Sequence, residues 1–583
     1  MIHALLLASA LTRTVVDHGI AVDLKVSEAI TDGESLHVEL TLRDDATKAP
    51  LTGVRPLAWL APRSEKRECM SEAARFLGGS LTDRPAADFN DFYVLALNDQ
   101  PSISVVDPRF RFGRSQLLSL ILLESRGEDW VLTPDGRTLF VTMPEAGKVA
   151  IADTATWKVR ANVAMGTRPT RIALQPDGAR VWVVSDDGVY VLDASSVERQ
   201  ALSLPKDARR AKSPPLHFTA DSRIAMIGNA IIDTRTFESH TIDNPIYAYS
   251  NLAYAGDPAT GRIQAIDPTT RKTLATFEAE KQFTQIRFAP NGRHGFIVNP
   301  AKNVVQIFDA ATNTIIATAD IPDAPDQVTF TDRIAFVRRR NSDSVSMITL
   351  DTIKAGAPVG VAEFSGGQRN LGAGDFAASA DSIVEAPDGP AVLVANPADK
   401  SIYYYKEGMA APMGAFANYS RQPRAVLVVD RSLREKKPGV YASRAQIADP
   451  GAYELVVFLD SPRLAGCFPI DVAARPETRA KLARAVYVEP LAVPDAHAGE
   501  KTRITFRIAE RESHRTRNGG DVEIVVMQAP GVWQRRAVAT PSSDGTYAVE
   551  VTPPQAGVYY VWVASPVADL PINNGHFITF EAD

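Results

Sequence analysis

Two methionines offer the chemistry best suited to copper. Met409 and Met413 lie four positions apart in the segment YYYKEGMAAPMGAFANY (403–419). Thioether sulfur is a soft ligand that suits copper(I), and Cys69 and Met70 would offer further sulfur atoms. The alternative is that both methionines pack a hydrophobic joint, because methionine fills irregular gaps well.

The chain has two cysteines, Cys69 and Cys467. Three interpretations are open: a structural disulfide in an oxidising compartment, two separate buried thiols, or a metal site that uses one of them. The sequence has no Cys-x-x-Cys pair and no Cys-x-x-Cys-His motif for covalent haem. It also lacks the motifs of zinc proteases, serine hydrolases, P-loop proteins and dinucleotide-binding enzymes. The sequence therefore shows no recognised catalytic centre.

Charge and hydropathy exclude two classes of protein. The chain has 583 residues, with 63 Lys and Arg against 69 Asp and Glu, for a net charge of −6. A nucleic-acid-binding protein would normally carry a basic excess. No apolar run approaches the length of a membrane-spanning helix. Leu5–Leu7, followed by Ala8-Ser9-Ala10, resembles the end of a secretory signal and predicts a periplasmic or secreted protein.

A repeat occupies about residues 90–408. Its unit is an apolar run, a polar turn such as Pro-Asp-Gly, and two strands, of which the second often ends in Asp. It is clearest at 129–159, 171–196 and 285–316. Asn, Asp and Gly tolerate the backbone angles of tight turns, and the flanking runs are rich in strand-forming residues. Eight such units, spaced by about 40–45 residues, predict the four-stranded blades of a β-propeller.

These repeats resemble the YVTN-type β-propeller family and, more loosely, the eight-bladed haem-binding propeller of periplasmic nitrite reductases. The resemblance implies an eight-bladed propeller, with seven blades as the alternative. It implies little about function, because propellers host many activities.

Histidines are the first candidates that the resemblance brings forward. Haem-binding propellers use a histidine as an axial ligand, and His217 and His294 lie in predicted blades. The resemblance therefore makes these two candidates for cofactor binding, with a structural role as the alternative.

Arginines recur where blades begin. The first strands of a propeller line its channel, so a cluster of arginines there could bind an anion, a carboxylate substrate or a haem propionate through bidentate bonds. Exposed, salt-bridged arginines are the alternative. The candidates are Arg126, Arg168, Arg171, Arg369 and Arg424.

A Gly-x-Tyr pair occurs twice and indicates a duplicated domain. Tyr547 and Tyr559 are 12 residues apart near the C-terminus, and Tyr441 and Tyr453 have the same spacing. The strand that precedes the first pair is missing locally, but GESLHVELTLRD (33–44) parallels GEKTRITFRIAE (499–510), and VRPLAWLAP (54–62) parallels VEIVVMQAP (522–530). We therefore predict that the propeller is inserted into a loop of the first copy.

Both copies resemble the immunoglobulin-like domains of the YtkA/FixH type, which are found in bacterial envelope proteins. The predicted organisation is one split sandwich at 14–64 and 422–475, the propeller at 65–421, and a second sandwich at 485–583.

A scaffold without a catalytic motif favours a binding role. We predict a periplasmic propeller that binds a partner protein or a small cofactor, accessory to a redox or metal-handling system. The alternatives are a haem- or metal-dependent oxidoreductase and a copper(I)-binding protein.

Overall fold

A computed structural model of the chain describes most of its residues. The described ranges are 10–27, 30–33, 35–63, 69–71, 73, 85–108, 117–196, 198–202, 214–340, 342–368, 378–387, 389–447, 449–461, 463–483, 485–492, 495–511, 513–528, 533–572 and 577–583. By its internal contacts the chain divides into one unit of residues 90–432 and another formed by residues 1–89 and 433–583.

The unit of residues 90–432 contains, within the described residues, eight antiparallel four-stranded sheets, here called blades 1 to 8. The strands of blades 1 to 4 are Trp130–Leu132, Thr138–Met143, Lys148–Asp153 and Lys158–Ala164; Arg171–Leu174, Arg180–Ser185, Gly188–Asp193 and Arg199–Leu202; Leu216–Phe218, Ile224–Ile227, Ala230–Asp233 and Ser239–Thr241; Ile246–Tyr249, Ala253–Asp257, Arg262–Ile266 and Thr273–Glu278.

Blades 5 to 8 follow the same plan, and blade 8 takes strands from both ends of the unit. Their strands are Gln285–Phe288, His294–Asn299, Val304–Asp309 and Thr314–Asp320; Pro325–Phe330, Ile334–Arg339, Ser344–Thr349 and Val361–Ser365; Ile383–Glu385, Ala391–Asn396, Ser401–Lys406 and Gly414–Ala417; Pro423–Asp430, Phe92–Asn98, Ser102–Val106 and Leu117–Leu122. A short 3-10 helix, Leu350–Thr352, follows the third strand of blade 6.

Apolar packing between consecutive blades closes them into a ring. One hydrophobic cluster joins each blade to the next, from blades 1 and 2 around to blades 8 and 1. From blade 1 to blade 8, the first strand of each blade contacts the first strand of the next. The first strands therefore lie innermost, and the prediction of an all-β chain containing a propeller is confirmed.

The repeated turn residues hold the blades in shape. In blade 1, Gly136 adopts a φ of +69°, and the Asp135 carboxylate accepts hydrogen bonds from the Thr133 hydroxyl at 2.6 Å and the Arg137 amide at 3.1 Å. The aspartate that ends the third strand, Asp153, accepts two amide hydrogen bonds at 2.8 Å from the following turn. These contacts explain why Pro-Asp-Gly and a terminal Asp recur along the sequence.

The first sandwich, of residues 10–89 and 433–475, has two five-stranded sheets that enclose one core. It differs from the predicted boundaries: Pro423–Asp430 is the innermost strand of blade 8, because it pairs with Phe92–Asn98 to close the ring. The strands, sheet by sheet, are Ala10–Asp17, Ile20–Ser27, Ser35–Asp44, Val440–Gln446 and Arg434–Lys437; Ile30–Thr31, Arg463–Ala473, Gly451–Asp460, Leu57–Pro62 and Ala87–Asp88.

Strands from the two sides of the propeller pair directly in this sandwich. Ser35–Asp44 lies antiparallel to Val440–Gln446, with Leu40 opposite Tyr441. Leu57–Pro62 lies antiparallel to Gly451–Asp460, with Leu60 opposite Leu455.

The second sandwich, of residues 485–583, repeats the strand order of the first with four strands in each sheet. A helix, Pro476–Ala483, precedes it. No helix in the described part of the chain is long and apolar enough to cross a bilayer. The strands are Val486–Ala492, Thr502–Glu510, Thr546–Val551 and Thr540–Pro541; Trp533–Val538, Glu523–Gln528, Gly557–Ala564 and Phe577–Ala582.

The paired tyrosines occupy equivalent places in the two sandwiches. The Tyr453 hydroxyl donates to the Asp449 carbonyl at 3.1 Å, and the Tyr559 hydroxyl donates to the Gln555 carbonyl at 2.7 Å, in each case four residues earlier. The earlier tyrosine of each pair, Tyr441 or Tyr547, is buried, and its hydroxyl accepts an amide hydrogen bond from a distant loop.

Candidate functional site at the centre of the ring

A short stretch of chain, residues 378–382, lies among the first strands of the propeller and is here called the crossing segment. The Ser379 amide and hydroxyl both donate to Glu128 Oε1, at 2.9 and 3.1 Å, at the start of blade 1. The Ser379 carbonyl accepts a hydrogen bond from Arg171 Nη1 of blade 2 at 2.7 Å.

The other end of the crossing segment is bound to blades 6 and 8. Ser382 is 1% exposed, and its amide and hydroxyl donate to Gln327 Oε1 of blade 6, both at 2.8 Å. The Asp381 carbonyl accepts a hydrogen bond from the Val426 amide of blade 8 at 2.8 Å. The segment, which leads into blade 7, therefore joins several blades that are not its neighbours in the ring.

Two arginine–carboxylate pairs accompany the crossing segment. Arg287 of blade 5 binds both carboxylate oxygens of Asp381, at 2.9 and 2.5 Å, and both side chains are about one third exposed. Arg424 of blade 8 is fully buried at its side chain and donates to Glu128 Oε2 at 2.9 Å. The bidentate pairing of Arg287 with Asp381 fixes geometry as well as charge.

Asp129, immediately before blade 1, is a buried carboxyl group beside this network. It is 8% exposed, and its oxygens accept hydrogen bonds from the Trp130 amide at 2.9 Å and the Ile172 amide at 3.2 Å. Burial raises the pKa of Asp129 to about 7, although the charge of Arg171 and the two amides oppose the shift, and the nearby Asp381 adds to it. Asp129 is therefore poised between its acid and carboxylate forms near neutral pH.

His217, in the first strand of blade 3, has a buried Nε2 atom without a hydrogen-bond partner. Burial lowers the pKa of His217 to about 4; a bond to the Tyr247 backbone opposes the shift, and the charges of Arg287 and Arg171 add to it. The imidazole is therefore neutral at physiological pH. Because Nε2 has no partner, we infer that Nδ1–H donates to the Tyr247 carbonyl and that Nε2 is the acceptor nitrogen.

The five side chains Asp129, Arg171, His217, Arg287 and Asp381 are here called the central cluster. Two guanidinium groups, of Arg171 and Arg287, accompany the carboxylate of Asp381 and the carboxyl group of Asp129, which ionises near pH 7. The cluster carries one net positive charge when Asp129 is protonated and none when it is ionised. This arrangement can bind a small anion, and the acceptor nitrogen of His217 can receive a hydrogen bond from a donor on that anion.

The other cofactor-binding candidates lie apart from the central cluster. His294 begins the second strand of blade 5, opposite Asp309, and burial is the main cause that lowers its pKa. Arg126 forms an ion pair with Asp99 at 2.9 Å. The structure does not bring these residues together with His217.

Arg168, a further arginine candidate, lies outside the central cluster. Arg168 precedes blade 2, is 67% exposed at its side chain, and lies 3.3 Å from an Asp186 carboxylate oxygen. Arg369 lies outside the described residues. Arg126 and Arg168 are therefore exposed arginines in salt bridges, which was the alternative to a cofactor-binding role.

The two methionines proposed for copper lie on a hairpin that joins the third and fourth strands of blade 7. Met409 is 47% exposed and Met413 is 58% exposed, and neither belongs to a hydrophobic cluster of the described residues. Within the propeller, the two side chains are therefore not packed in a hydrophobic joint. No group of three or more His, Cys, Asp or Glu side chains suited to a metal occurs among the described residues. Copper binding stays a prediction.

The two cysteines are joined. Cys69 and Cys467 form a disulfide across 398 residues of sequence, with their Cα atoms 5.7 Å apart. Of the three interpretations of these cysteines, the structure agrees with the first, a disulfide.

Sequence reasoning missed the two aspartates and Arg287. Asp129 and Asp381 immediately precede, or nearly precede, the first strand of a blade, a position that could have been read from the repeat itself. No local motif marks them, because their partners come from blades that are distant in sequence: Arg287 and Asp381 are separated by 94 positions.

Comparisons with known proteins agree with the fold and go no further. No protein-family model matches the chain, and no curated protein matches it. Solved structures similar to the chain include hydrazine synthase of Kuenenia stuttgartiensis, with 14% identity, a TM-score of 0.36, and coverage of 53% of this chain and 90% of that one.

Two other similar structures have comparable scores. Apo AztD from Citrobacter koseri has 10% identity and a TM-score of 0.43, and the match covers 58% of this chain and 98% of that one. Dihydro-heme d1 dehydrogenase NirN, in complex with DHE, has 12% identity and a TM-score of 0.36, and the match covers 66% of this chain and 74% of that one. The assignment of a propeller rests on the strand pairing described above.

The central residues do not fit a haem group. His217 has the neutral, unpartnered nitrogen that an axial ligand requires. However, the crossing segment is bonded to blades 1, 2, 5, 6 and 8 and so occupies the middle of the ring, where a planar macrocycle would have to lie.

Proposed function

We propose that this protein is a binding protein whose propeller holds a small hydroxylated anion, such as a hydroxycarboxylate, at the central cluster. The observation that supports the proposal is the buried Nε2 atom of His217, which has no hydrogen-bond partner. The positive charges of Arg287 and Arg171 act on the same imidazole ring. Buried polar atoms are nearly always hydrogen-bonded, so an unsatisfied one requires an explanation, of which a bound ligand is one.

The chemistry of the cluster indicates which ligand it would select. A carboxylate would be attracted by Arg171 and Arg287, and a hydroxyl group on the neighbouring carbon would donate to His217 Nε2. The crossing segment limits the size of the ligand, because it already occupies the space between several blades. The cluster contains no nucleophile placed beside a base, so binding without a reaction is the function we propose.

The disulfide supports a location in an oxidising compartment. Disulfides form and persist in secreted and periplasmic proteins and are rare in reducing ones. We therefore keep the periplasm or the exterior as the proposed location. A role beside a redox or metal-handling system stays a prediction.

Calorimetric titration with glycolate and acetate tests the proposal. These probes differ by one hydroxyl group, so glycolate should bind more tightly by about one hydrogen bond, on the order of 1 kcal/mol or fivefold. His217→Phe should remove this preference. His240→Phe changes an exposed histidine in the same blade and should leave it intact. Equal affinity for both probes in the wild-type protein would contradict the proposal.

A second pair of variants tests the arginine. Arg171→Lys should weaken binding of both probes, because lysine cannot reproduce the planar, multiple hydrogen bonds of a guanidinium group. Arg168→Lys is the matched control, three positions earlier and largely exposed. If the two variants bind glycolate equally well, the ligand does not sit at the central cluster.

A further inference from the structure

The two sandwiches differ in the burial of one outer face, which is covered in the first sandwich and exposed in the second. This difference points to a docking surface. In each sandwich, one sheet has an outer face that turns away from the core. In the first sandwich this face is apolar and buried: Trp59 is 1% exposed, Val456 0% and Phe458 2%. Residues 69–71 and 73 are helical, and Ala73, fully buried, packs against these side chains.

The disulfide holds this covering helix in place. Cys69 is one of its described residues, and Cys467 lies on the covered face, opposite Val456 on the neighbouring strand. Trp59, on the other side, is also opposite Val456. Three adjacent strands thus present Trp59, Val456 and Cys467 side by side beneath this helix.

The same three places can be identified in the second sandwich. Tyr453 and Tyr559 are equivalent because each hydroxyl donates to the carbonyl four residues earlier. Counting three residues onward from each tyrosine makes Trp562 the counterpart of Val456. Trp562 lies opposite Val525 on one side and opposite Phe577 on the other, so Phe577 takes the place of Cys467.

In the second sandwich this face is aromatic and open to solvent. Phe577 is 48% exposed, and Tyr560 and Trp562 are partly exposed. The three rings lie together, with centroids 5.0 Å apart for Tyr560 and Phe577 and 5.8 Å apart for Trp562 and Phe577. Val525 and Met527 continue the patch on the adjoining strand, since they lie opposite Trp562 and Tyr560. These five residues are here called the aromatic face.

A basic side chain borders the aromatic face. Arg536 lies opposite Val525 on the edge strand, so it shares the outer face, and it is exposed. It forms no ion pair within the described residues of the chain. Neighbouring aromatic rings next to an arginine are the residue types that carry most of the energy in protein interfaces.

We propose that the aromatic face docks a short, apolar helical segment of a partner protein that carries an acidic residue opposite Arg536. The chain itself provides the precedent, because the equivalent face of the first sandwich is covered by such a helix. There the cover is supplied by the same chain and attached through Cys467. At the corresponding position the second sandwich has Phe577, an anchor for a cover that comes from outside.

Site-specific photo-cross-linking in the full-length protein tests this proposal. A benzophenone amino acid replaces Phe577 in one variant and Val567, which is 65% exposed and lies outside the aromatic face, in the control. In the native host, the probe at 577 should form one predominant adduct that the probe at 567 does not form. The cross-linked peptide should be an apolar helical segment of a different protein.

Reversing the charge of Arg536 adds a second measurement, which distinguishes weaker docking from a general loss of folding. Arg536→Glu, an exposed substitution, should reduce the adduct at 577 several-fold, while the melting temperature stays unchanged. Three results would overturn the proposal: an adduct with a second copy of this chain, an adduct with a polysaccharide, or equal yields at 577 and 567. Absence of any adduct at 577 would overturn it as well.

Discussion

The buried carboxyl group of Asp129 predicts that the propeller loses stability as the pH rises toward neutrality. In the unfolded chain this group ionises near pH 3.8, whereas burial raises its pKa in the folded protein to about 7. Between these values the folded protein retains a proton that the unfolded chain has lost. Each increase in pH therefore favours the unfolded chain, until the group is ionised in both states.

The size of the effect follows from the shift. About 3 pH units at 1.36 kcal/mol each correspond to about 4 kcal/mol of stability lost between pH 4 and pH 8. Asp129→Asn cannot ionise, although its single side-chain oxygen can accept from only one of the Trp130 and Ile172 amides, which bond to different oxygens of Asp129. The difference in stability between variant and wild type should therefore shift in favour of the variant by up to about 4 kcal/mol as the pH rises over this range.

Pulse proteolysis in urea, with propeller peptides quantified by mass spectrometry, measures this difference for the propeller itself. Asp193→Asn is the control, because turn amides and hydroxyl groups hold the pKa of Asp193 well below its ordinary value. Above pH 5, Asp193 is ionised in both states, so the difference between this control and the wild type should be constant. If the profile of Asp129→Asn runs parallel to that of the control, the argument about Asp129 is refuted.

Two further experiments test contacts in the two units. Replacing Cys69 and Cys467 by serine should destabilise the first sandwich by about 2–5 kcal/mol. Urea unfolding of this variant, and of the wild type with and without reductant, measures the difference. Equal stability with and without the disulfide would contradict its structural role. Arg424→Met should lower the free energy of unfolding by about 3–5 kcal/mol, since it leaves Glu128 without its buried partner. Arg126→Met, in a partly exposed ion pair, should lower it by less than about 1 kcal/mol. Similar losses for the two variants in thermal unfolding would show that the pair of Arg424 and Glu128 does not stabilise the propeller more than a surface ion pair does.

The sequence was most informative where one local pattern repeats. Several blades use the same turn chemistry, so Pro-Asp-Gly or Pro-Asn-Gly could be recognised at 134–136, 176–178, 290–292 and 387–389 without knowledge of the ring. The Gly-x-Tyr pairs were informative for the same reason. Their tyrosines make corresponding hydrogen bonds in both sandwiches, so their 12-residue spacing is retained where the chain is interrupted.

Strand registers and the closure of the ring were harder to predict from the sequence. The Ala-Pro motifs were aligned with each other, yet Tyr453 lies opposite Pro62 while Tyr559 lies opposite Gln528, so the registers differ by two residues. The strand Pro423–Asp430 was assigned to a sandwich because nothing local distinguishes it from a sandwich strand. Its role depends on pairing with Phe92–Asn98 at the other end of the unit.

The central cluster could not be predicted for a related reason. His217 and Arg171 were candidates because of their residue types and their positions in blades. Asp129, Arg287 and Asp381 become their neighbours only when the ring closes and the crossing segment enters it. Sequence spacing carries no information about such contacts, because the side chains that meet there come from blades 2, 3 and 5 and from the segments before blades 1 and 7.

A crystal structure of the protein soaked with glycolate tests the central claim most directly. We predict that the glycolate hydroxyl lies within hydrogen-bond distance of His217 Nε2 and that its carboxylate contacts Arg171 or Arg287. Glycolate bound elsewhere, with His217 Nε2 facing only apolar side chains, would contradict the account.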